Sequence, residues 1–370
     1  MEYLHLILFI FNFTGMDTKG FLLRIMLVSS LAMGLSQAVV AQYPYARQNP
    51  WATIKPSRLH RGDKVGLVAP AWLITERDLQ ASIERIKQLG FVPVYTDKIR
   101  GRHGYFSGTD KERADDFNRM IRNPEIKAVI FAGGGYGCAR ILDNIDYDAL
   151  KKNPKIIMGF SDCTALINAI TQTTGLVTFH GPIGRTIHPG YNRRQFENIV
   201  MRPADRYVIE STEDDLQKAA GNKVYERYTI TPGKARGELT GGNLTLICSL
   251  MGTPYQIDLK DKIVMIEDTG EEPYRIDRML TQLIASGELA KAAGIAFGIC
   301  KGCDKSVKSS TPNSFTLRQV IEDRIKQLNI PAVYGLSFGH NKNNFTFPIG
   351  VQAELDADKK TVTLLERAVL

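Results

Sequence analysis

Ser161 stands where one apolar run, Lys155 to Phe160, passes almost directly into a second, Thr164 to Ile170. A strand that feeds a helix through a serine holds that residue in a strained turn, with its hydroxyl clear of the sheet and the following amides facing an incoming carbonyl oxygen. The chemistry this suits is acyl transfer. The local order is Gly159-Phe160-Ser161-Asp162 rather than Gly-x-Ser-x-Gly, and serine also caps helices at such turns, so its partners have to decide.

A serine hydroxyl needs a base, and the base needs a group that holds its ring. The histidines are His5, His60, His103, His180, His188 and His340. His340 lies in a polar, glycine-bearing loop, Gly335 to Asn344, just past an apolar strand, where catalytic side chains are commonly mounted. His180 also follows an apolar strand and is its rival. For the orienting acid, Glu267, Asp268, Glu271 and Glu272 all follow the strand Lys262 to Ile266. Alternation puts Glu267 on the face of Ile263 and Met265, and Asp268 on the other. The same acids would also suit a loop capping the next helix. The glycine run Ala132 to Gly137 lets backbone amides approach a ligand, as an oxyanion hole, a phosphate cradle or a plain tight turn. It has neither the Gly-x-Gly-x-x-Gly spacing nor a Gly-Lys-Ser/Thr ending, which weakens the nucleotide reading.

These groups must be positioned by regular elements, and the pattern supplies them. Lys64 to Pro70 reads as a buried strand, Glu76 to Leu89 as an amphipathic helix closed by Gly90, and Phe91 to Tyr95 as a strand. Asp110 to Arg122 gives a helix, Ile126 to Ala132 a strand, and Ala139 to Ile145 the start of a further helix. Strands alternating with helices imply an α/β chain with a mostly parallel, doubly wound sheet. Ligands of such sheets bind beyond the carboxyl ends of the strands, where the glycine run and Ser161 both fall. Residues 206–233 read as a linker between an N-terminal α/β domain, 59–205, and a C-terminal one, 234–370. Within the latter, Gly237 to Met251 reads as a turn and a helix. Strands at Lys262 to Ile266, Gly294 to Ile299 and Ala332 to Tyr334 then alternate with helices at Tyr274 to Ser286 and Thr316 to Leu328, before short strands after Phe345. Residues 42–58, with Pro44, Pro50 and Pro56, read as an extended leader.

The chain has 370 residues, 44% hydrophobic and 23% charged, enough for two domains with sizeable cores. Its net charge of +8 is scattered, with no basic run interleaved with aromatics, which argues against a nucleic-acid partner. Lys19 and Arg24 precede the apolar stretch Ile25 to Ser36, and the small residues Val39 to Ala41 precede Gln42. Residues 1–41 are therefore expected to be a signal peptide, with the mature chain in the periplasm and no stable membrane insertion. Cys300 and Cys303 form the only close cysteine pair, suited to a disulfide, since zinc would need a second ligand pair. Cys138, Cys163 and Cys248 sit among apolar or glycine residues and read as buried thiols.

Several segments together resemble one family, the LD-carboxypeptidases, serine peptidases of the murein tetrapeptide carboxypeptidase and microcin-immunity group. The resemblance rests on Gly62 to Pro70, Gly134 to Gly137, Gly159 to Asp162, His180 to Pro182, Gly241 to Leu244, Gly252 to Pro254, Ile266 to Asp268 with Tyr274 to Arg278, and Gly339-His340, in the family's order. It implies a triad of Ser161, Glu267 and His340, with an oxyanion hole from the amides of Asp162 and Gly134 and with Tyr136 and Arg275 binding substrate. It also implies a flavodoxin-like N-terminal domain, a second α/β domain, a homodimer, no metal or organic cofactor, and release of D-alanine from murein tetrapeptides. Gly133 stands where many members carry arginine. A cation for the substrate carboxylate then has to come from elsewhere, and Arg140, Arg275 and Lys301 are the candidates.

Overall fold

The computed structural model describes residues 53–209, 211–304 and 314–370. The expected signal peptide and most of the leader lie outside them. The remainder of the leader is extended: Ile54 pairs with Leu176, and Pro56 and Arg58 bond the backbone of Leu370.

The first sheet contains β1 (Lys64–Val68), β2 (Val92–Val94), β3 (Ile126–Phe131), β4 (Ile156–Gly159) and β5 (Thr178–His180), all parallel, in the order β2-β1-β3-β4-β5. That is the flavodoxin-like order, and its reversal of direction falls between β1 and β3. The crossovers carry α1 (Glu76–Gln88), α2 (Asp110–Arg122), α3 (Tyr147–Lys152) and α4 (Thr164–Thr174). Helix α1 starts at a reciprocal cap, in which the Thr75 hydroxyl accepts from the Asp78 amide and the Asp78 carboxylate turns back to Thr75. The expected helix at Ala139 is a tighter 3-10 turn, Cys138–Asn144.

After α5 (Tyr191–Val200) the chain builds a second sheet. Its first members, β6 (Tyr207–Ile209), α6 (Glu213–Lys218) and β7 (Tyr228–Thr231), come from the stretch expected to be a linker. Strand β6 closes one edge of the sheet and β7 the other, so these residues are part of the fold. Strand β8 (Lys234–Asn243) replaces the expected turn at Gly237. Its glycines hide a strand because they sit where strands and helices crowd. A Cβ on Gly241, whose φ is +101°, would lie 2.3 Å from the carbonyl oxygen of Met265. Next come α7 (Leu244–Ser249), β9 (Ile263–Glu267), α8 (Pro273–Ala285), β10 (Gly294–Gly298), α9 (Leu317–Lys326) and β11 (Ala332–Leu336). Strands β8, β9, β10 and β11 are parallel neighbours. Finally β12 (Phe347–Ile349) returns to pair antiparallel with β5, and β13 (Gln352–Asp356) and β14 (Thr361–Leu364) complete the second sheet.

Both sheets lie within one compact unit, Pro50–Leu370. Among the described residues no helix is long and apolar enough to cross a membrane. Cys300 and Cys303 are joined in a disulfide just past β10, and Cys138, Cys163 and Cys248 are free and buried.

The segment between β11 and β12 crosses from the second sheet to the first, and it carries His340. It is pinned from both sides. Asp215 of α6, 1% exposed, accepts from the Ser337 hydroxyl (2.7 Å), the Asn341 amide (2.8 Å) and the Asn343 amide (3.0 Å). From the other side, Asn192 of α5 accepts from the Asn344 backbone (2.8 Å) and donates to the Lys342 carbonyl (3.1 Å). Asp215→Ala would leave those three donors without their shared acceptor, a loss of about 3 kcal/mol of stability. Urea unfolding measures it, and a change below about 1 kcal/mol would contradict the role given to Asp215.

Candidate active site

Strand β4 ends at Gly159, and the chain turns through Ser161 before α4 begins. Ser161 has φ of +64°, a left-handed conformation that a side chain pays for in strain and that persists only where its surroundings enforce it. The neighbouring Asp162 supplies part of that enforcement. Its buried carboxylate accepts from the Cys138 amide at 2.7 Å, tying the turn to the end of the glycine run, and burial pushes its pKa up. Arg113, also buried, donates to the Gly137 carbonyl at 2.9 Å and to that of Pro70, fixing the same run to the end of β1. The run passes close to the serine: a Cβ on Gly134 would sit 3.5 Å from Cβ and 3.8 Å from Oγ of Ser161.

His340 and Glu267 reach this serine from the second sheet. His340 Nε2 lies 2.9 Å from Ser161 Oγ, and its Nδ1 lies 2.7 Å from Glu267 Oε2. Glu267 is the last residue of β9 and is buried, while the His340 side chain is 21% exposed and open to the cleft. Gly339 makes the approach possible. A Cβ there would fall 2.6 Å from Glu267 Oε2, and the backbone φ is +96°. The Phe160 ring meets the His340 ring edge-on at 4.9 Å and limits its rotation.

The rival residues fall elsewhere. His180 is fully buried behind Glu267, with Nε2 3.8 Å from Oε1, and its ring stacks on Phe347 at 4.6 Å. It backs the acid, and the hydrogen bond to the serine is made by His340. Asp268 points the other way, as alternation requires, and ties β9 to the start of α7 through the Asn243 side chain, the Thr245 hydroxyl and the Thr245 amide. Burial and then the charge of Glu267 push its pKa up to about 6. Glu271 and Glu272 pair with Arg275 at 3.8 Å, on the outside of α8. Tyr136 packs on Tyr105 and Phe106 at the outer edge of the glycine run. Neither Tyr136 nor Arg275 lines the cleft.

The cleft itself, of about 270 Å³, opens beyond the ends of β1, β3, β4 and β5, at the reversal point of the sheet. Ser161, His340 and Gly134 share its wall with Trp72, Ile74 and Arg185. Sequence reasoning missed Arg185. The available signal was its place just past β5, since residues at that end of a parallel strand face the ligand crevice. Among the described residues no group of three or more His, Cys, Asp or Glu side chains is arranged to hold a metal ion.

The electrostatics suit proton transfer. Burial pushes the Glu267 carboxyl up, but His340 on one side and His180 on the other together more than offset this and hold it well below the ordinary carboxylate range. For His340, burial pulls the pKa down, and the Glu267 charge and hydrogen bond outweigh it, leaving the ring above its ordinary 6.5. A raised histidine pKa stabilises the fold fully below the unfolded value, and that contribution fades as pH rises through the folded value. Acceptance of the serine proton needs the neutral ring, so reactivity should grow over the same rise in pH. NMR titration of the His340 imidazole is expected to give a pKa above 6.5 that falls in Glu267→Gln; an unchanged value in that variant would contradict the coupling.

The chain as a whole is similar to known proteins. Residues 65–181 match the LD-carboxypeptidase N-terminal domain and residues 236–355 the LD-carboxypeptidase C-terminal domain. The chain is 38% identical over 316 residues to the probable murein peptide carboxypeptidase of Bacillus subtilis (strain 168), covering 84% of this chain and 94% of that protein. The muramoyltetrapeptide carboxypeptidase from Oxalobacter formigenes superposes with a TM-score of 0.68 at 30% identity, covering 81% of this chain and 97% of the other. The structure of MccF in complex with glutamyl sulfamoyl guanosine gives 0.76 at 25% identity, covering 85% and 99%. With the strand order, the strained serine and matches to both domains in sequence order, the chain belongs to the LD-carboxypeptidase family.

Proposed function

We propose that this protein is a serine carboxypeptidase that hydrolyses the L,D amide bond releasing terminal D-alanine from murein tetrapeptides. The observation that carries the reading is the continuous hydrogen-bonded series Glu267, His340, Ser161, ending on a hydroxyl that faces an open cleft. In this mechanism His340 Nε2 takes the Ser161 proton as Oγ attacks the scissile carbonyl. The amides of Asp162 and Gly134 receive the oxyanion, and the strained turn holds the first of them in place. His340 then returns the proton to the leaving D-alanine nitrogen, and a water activated by the same ring releases the acyl group. Glu267 keeps Nδ1 protonated and balances the charge that the ring acquires.

Work outside the cytoplasm completes the proposal. It is supported by the basic and apolar residues before Gln42 and by the Cys300–Cys303 disulfide, a bond that persists in oxidising compartments. Assembly as a homodimer belongs to the same proposal. A second reading, hydrolysis of a peptidyl-nucleotide conjugate, is favoured by one feature: Trp72, at the cleft wall and 45% exposed, offers a face on which a base could stack.

Mass spectrometry of a murein tetrapeptide, with L-lysine or meso-diaminopimelate at its third position, separates these readings. The expected result is loss of one D-alanine with the wild-type protein and none with Ser161→Ala. An intact tetrapeptide alongside cleavage of a glutamyl sulfamoyl nucleoside would select the second reading.

A further inference from the structure

Arg185 is the one arginine or lysine among the described residues that line the cleft. It sits in the 3-10 turn Gly184–Thr186, a few residues past the end of β5, and this turn is clamped on α1, since a Cβ on Gly184 would lie 2.8 Å from the Ser82 side chain. Its Nε is buried without a hydrogen bond and lies 3.4 Å from Asp78 Oδ1. The other oxygen of Asp78 is held in the α1 cap by the Thr75 hydroxyl at 2.8 Å. The Nε edge of the guanidinium thus faces a fixed carboxylate. Its two terminal amino groups have no hydrogen-bond partner among the described residues, and the side chain is 41% exposed.

We infer that Arg185 anchors the free carboxylate at the end of the substrate, through the two parallel hydrogen bonds that a guanidinium gives a carboxylate. This rests on the carboxypeptidase reading and specifies how it selects chain ends. The cleft has room for this: Ser161 and Arg185 line the same space of about 270 Å³, and a terminal residue spans about 3.3–3.6 Å from the scissile carbonyl to its carboxylate. The charge agrees as well. Asp78 offsets part of the positive charge of Arg185, which suits a monoanionic carboxylate better than a doubly charged phosphate.

The same geometry explains Gly133. A Cβ there would lie 2.5 Å from Ile74 Cγ2, so a side chain at this position would collide with the cleft wall. The cation has to enter from another strand end, and β5 supplies it. The other candidates are engaged elsewhere or do not line the cleft. Arg140 binds both oxygens of Asp110 at 2.8–3.1 Å, Arg275 faces Glu271 and Glu272, and Lys301 does not line the cleft.

The test compares a murein tetrapeptide with the same peptide amidated at its C-terminus, using the full chain and Arg185→Gln. Wild type should favour the free acid by about 10²-fold in kcat/KM, and Arg185→Gln should bring that ratio close to 1, chiefly through KM. Arg185→Lys keeps the charge without the fork and should fall between. Equal cleavage of acid and amide by wild type, or an unchanged ratio in Arg185→Gln, would overturn the anchor and leave serine hydrolysis standing. No turnover by wild type together with no tetrapeptide binding to Ser161→Ala would bring down the carboxypeptidase reading and the anchor with it.

Discussion

The carboxylate of Glu267 is buried at the end of a strand in one sheet, and the serine it serves belongs to the other. An isolated buried carboxylate is disfavoured by several kcal/mol, so the fold has to bring it a partner with good geometry. His340 is that partner, 2.7 Å away, and its second nitrogen is thereby aimed at Ser161. One charge-assisted bond therefore links electrostatic balance, ring orientation and the relation between the two sheets. Much of the surrounding sequence follows from it. Gly339 leaves room beside the carboxylate, Phe160 limits ring rotation, and His180 closes the buried side.

The topology makes this bond reproducible. The chain leaves β11 in the second sheet, passes His340 over Glu267 and enters β12 in the first, so His340 rides on a crossing held at both ends. A second tie lies behind Ser161. Asn168 of α4 donates to the Gly241 carbonyl at 2.9 Å, and the Asn243 amide donates to the Thr164 hydroxyl at 3.0 Å. The glycines of β8 permit that contact, because a Cβ on Gly242 would lie 2.5 Å from Thr164 Oγ1. The helix after the serine and the strand beside the acid are thus packed as one body. Preorganisation of this kind lets hydrogen bonds act on a transition state without reorganising at the moment of reaction.

Local signals made much of the architecture legible. Apolar strands alternating with capped helices gave the first sheet, and the strand–serine–helix junction, the residue ending β9 and the loop histidine pointed to the site. What stayed hidden depended on distant partners. Strand β8 looked like a turn because its glycines answer to crowding by β9 and α4, which composition does not report. Residues 206–233 looked like a linker because Thr212, Asp214 and Asp215 are polar, yet they face Asn343 and its neighbours more than 120 positions away. The choice between His180 and His340 likewise required knowing which ring reaches Ser161. Arg185 was overlooked because its meaning lies in Asp78 and in the closed space at Gly133.

In the mechanism proposed above Ser161 is a nucleophile activated by His340 and Glu267, and covalent labelling tests this most directly. The folded protein would be treated with a serine-directed fluorophosphonate and the adduct mapped by mass spectrometry, with His340→Ala and Ser161→Ala alongside. A single adduct on Ser161 is expected, formed at least about 10²-fold more slowly in His340→Ala and absent in Ser161→Ala. An unlabelled wild type, or a labelling rate indifferent to His340, would contradict it.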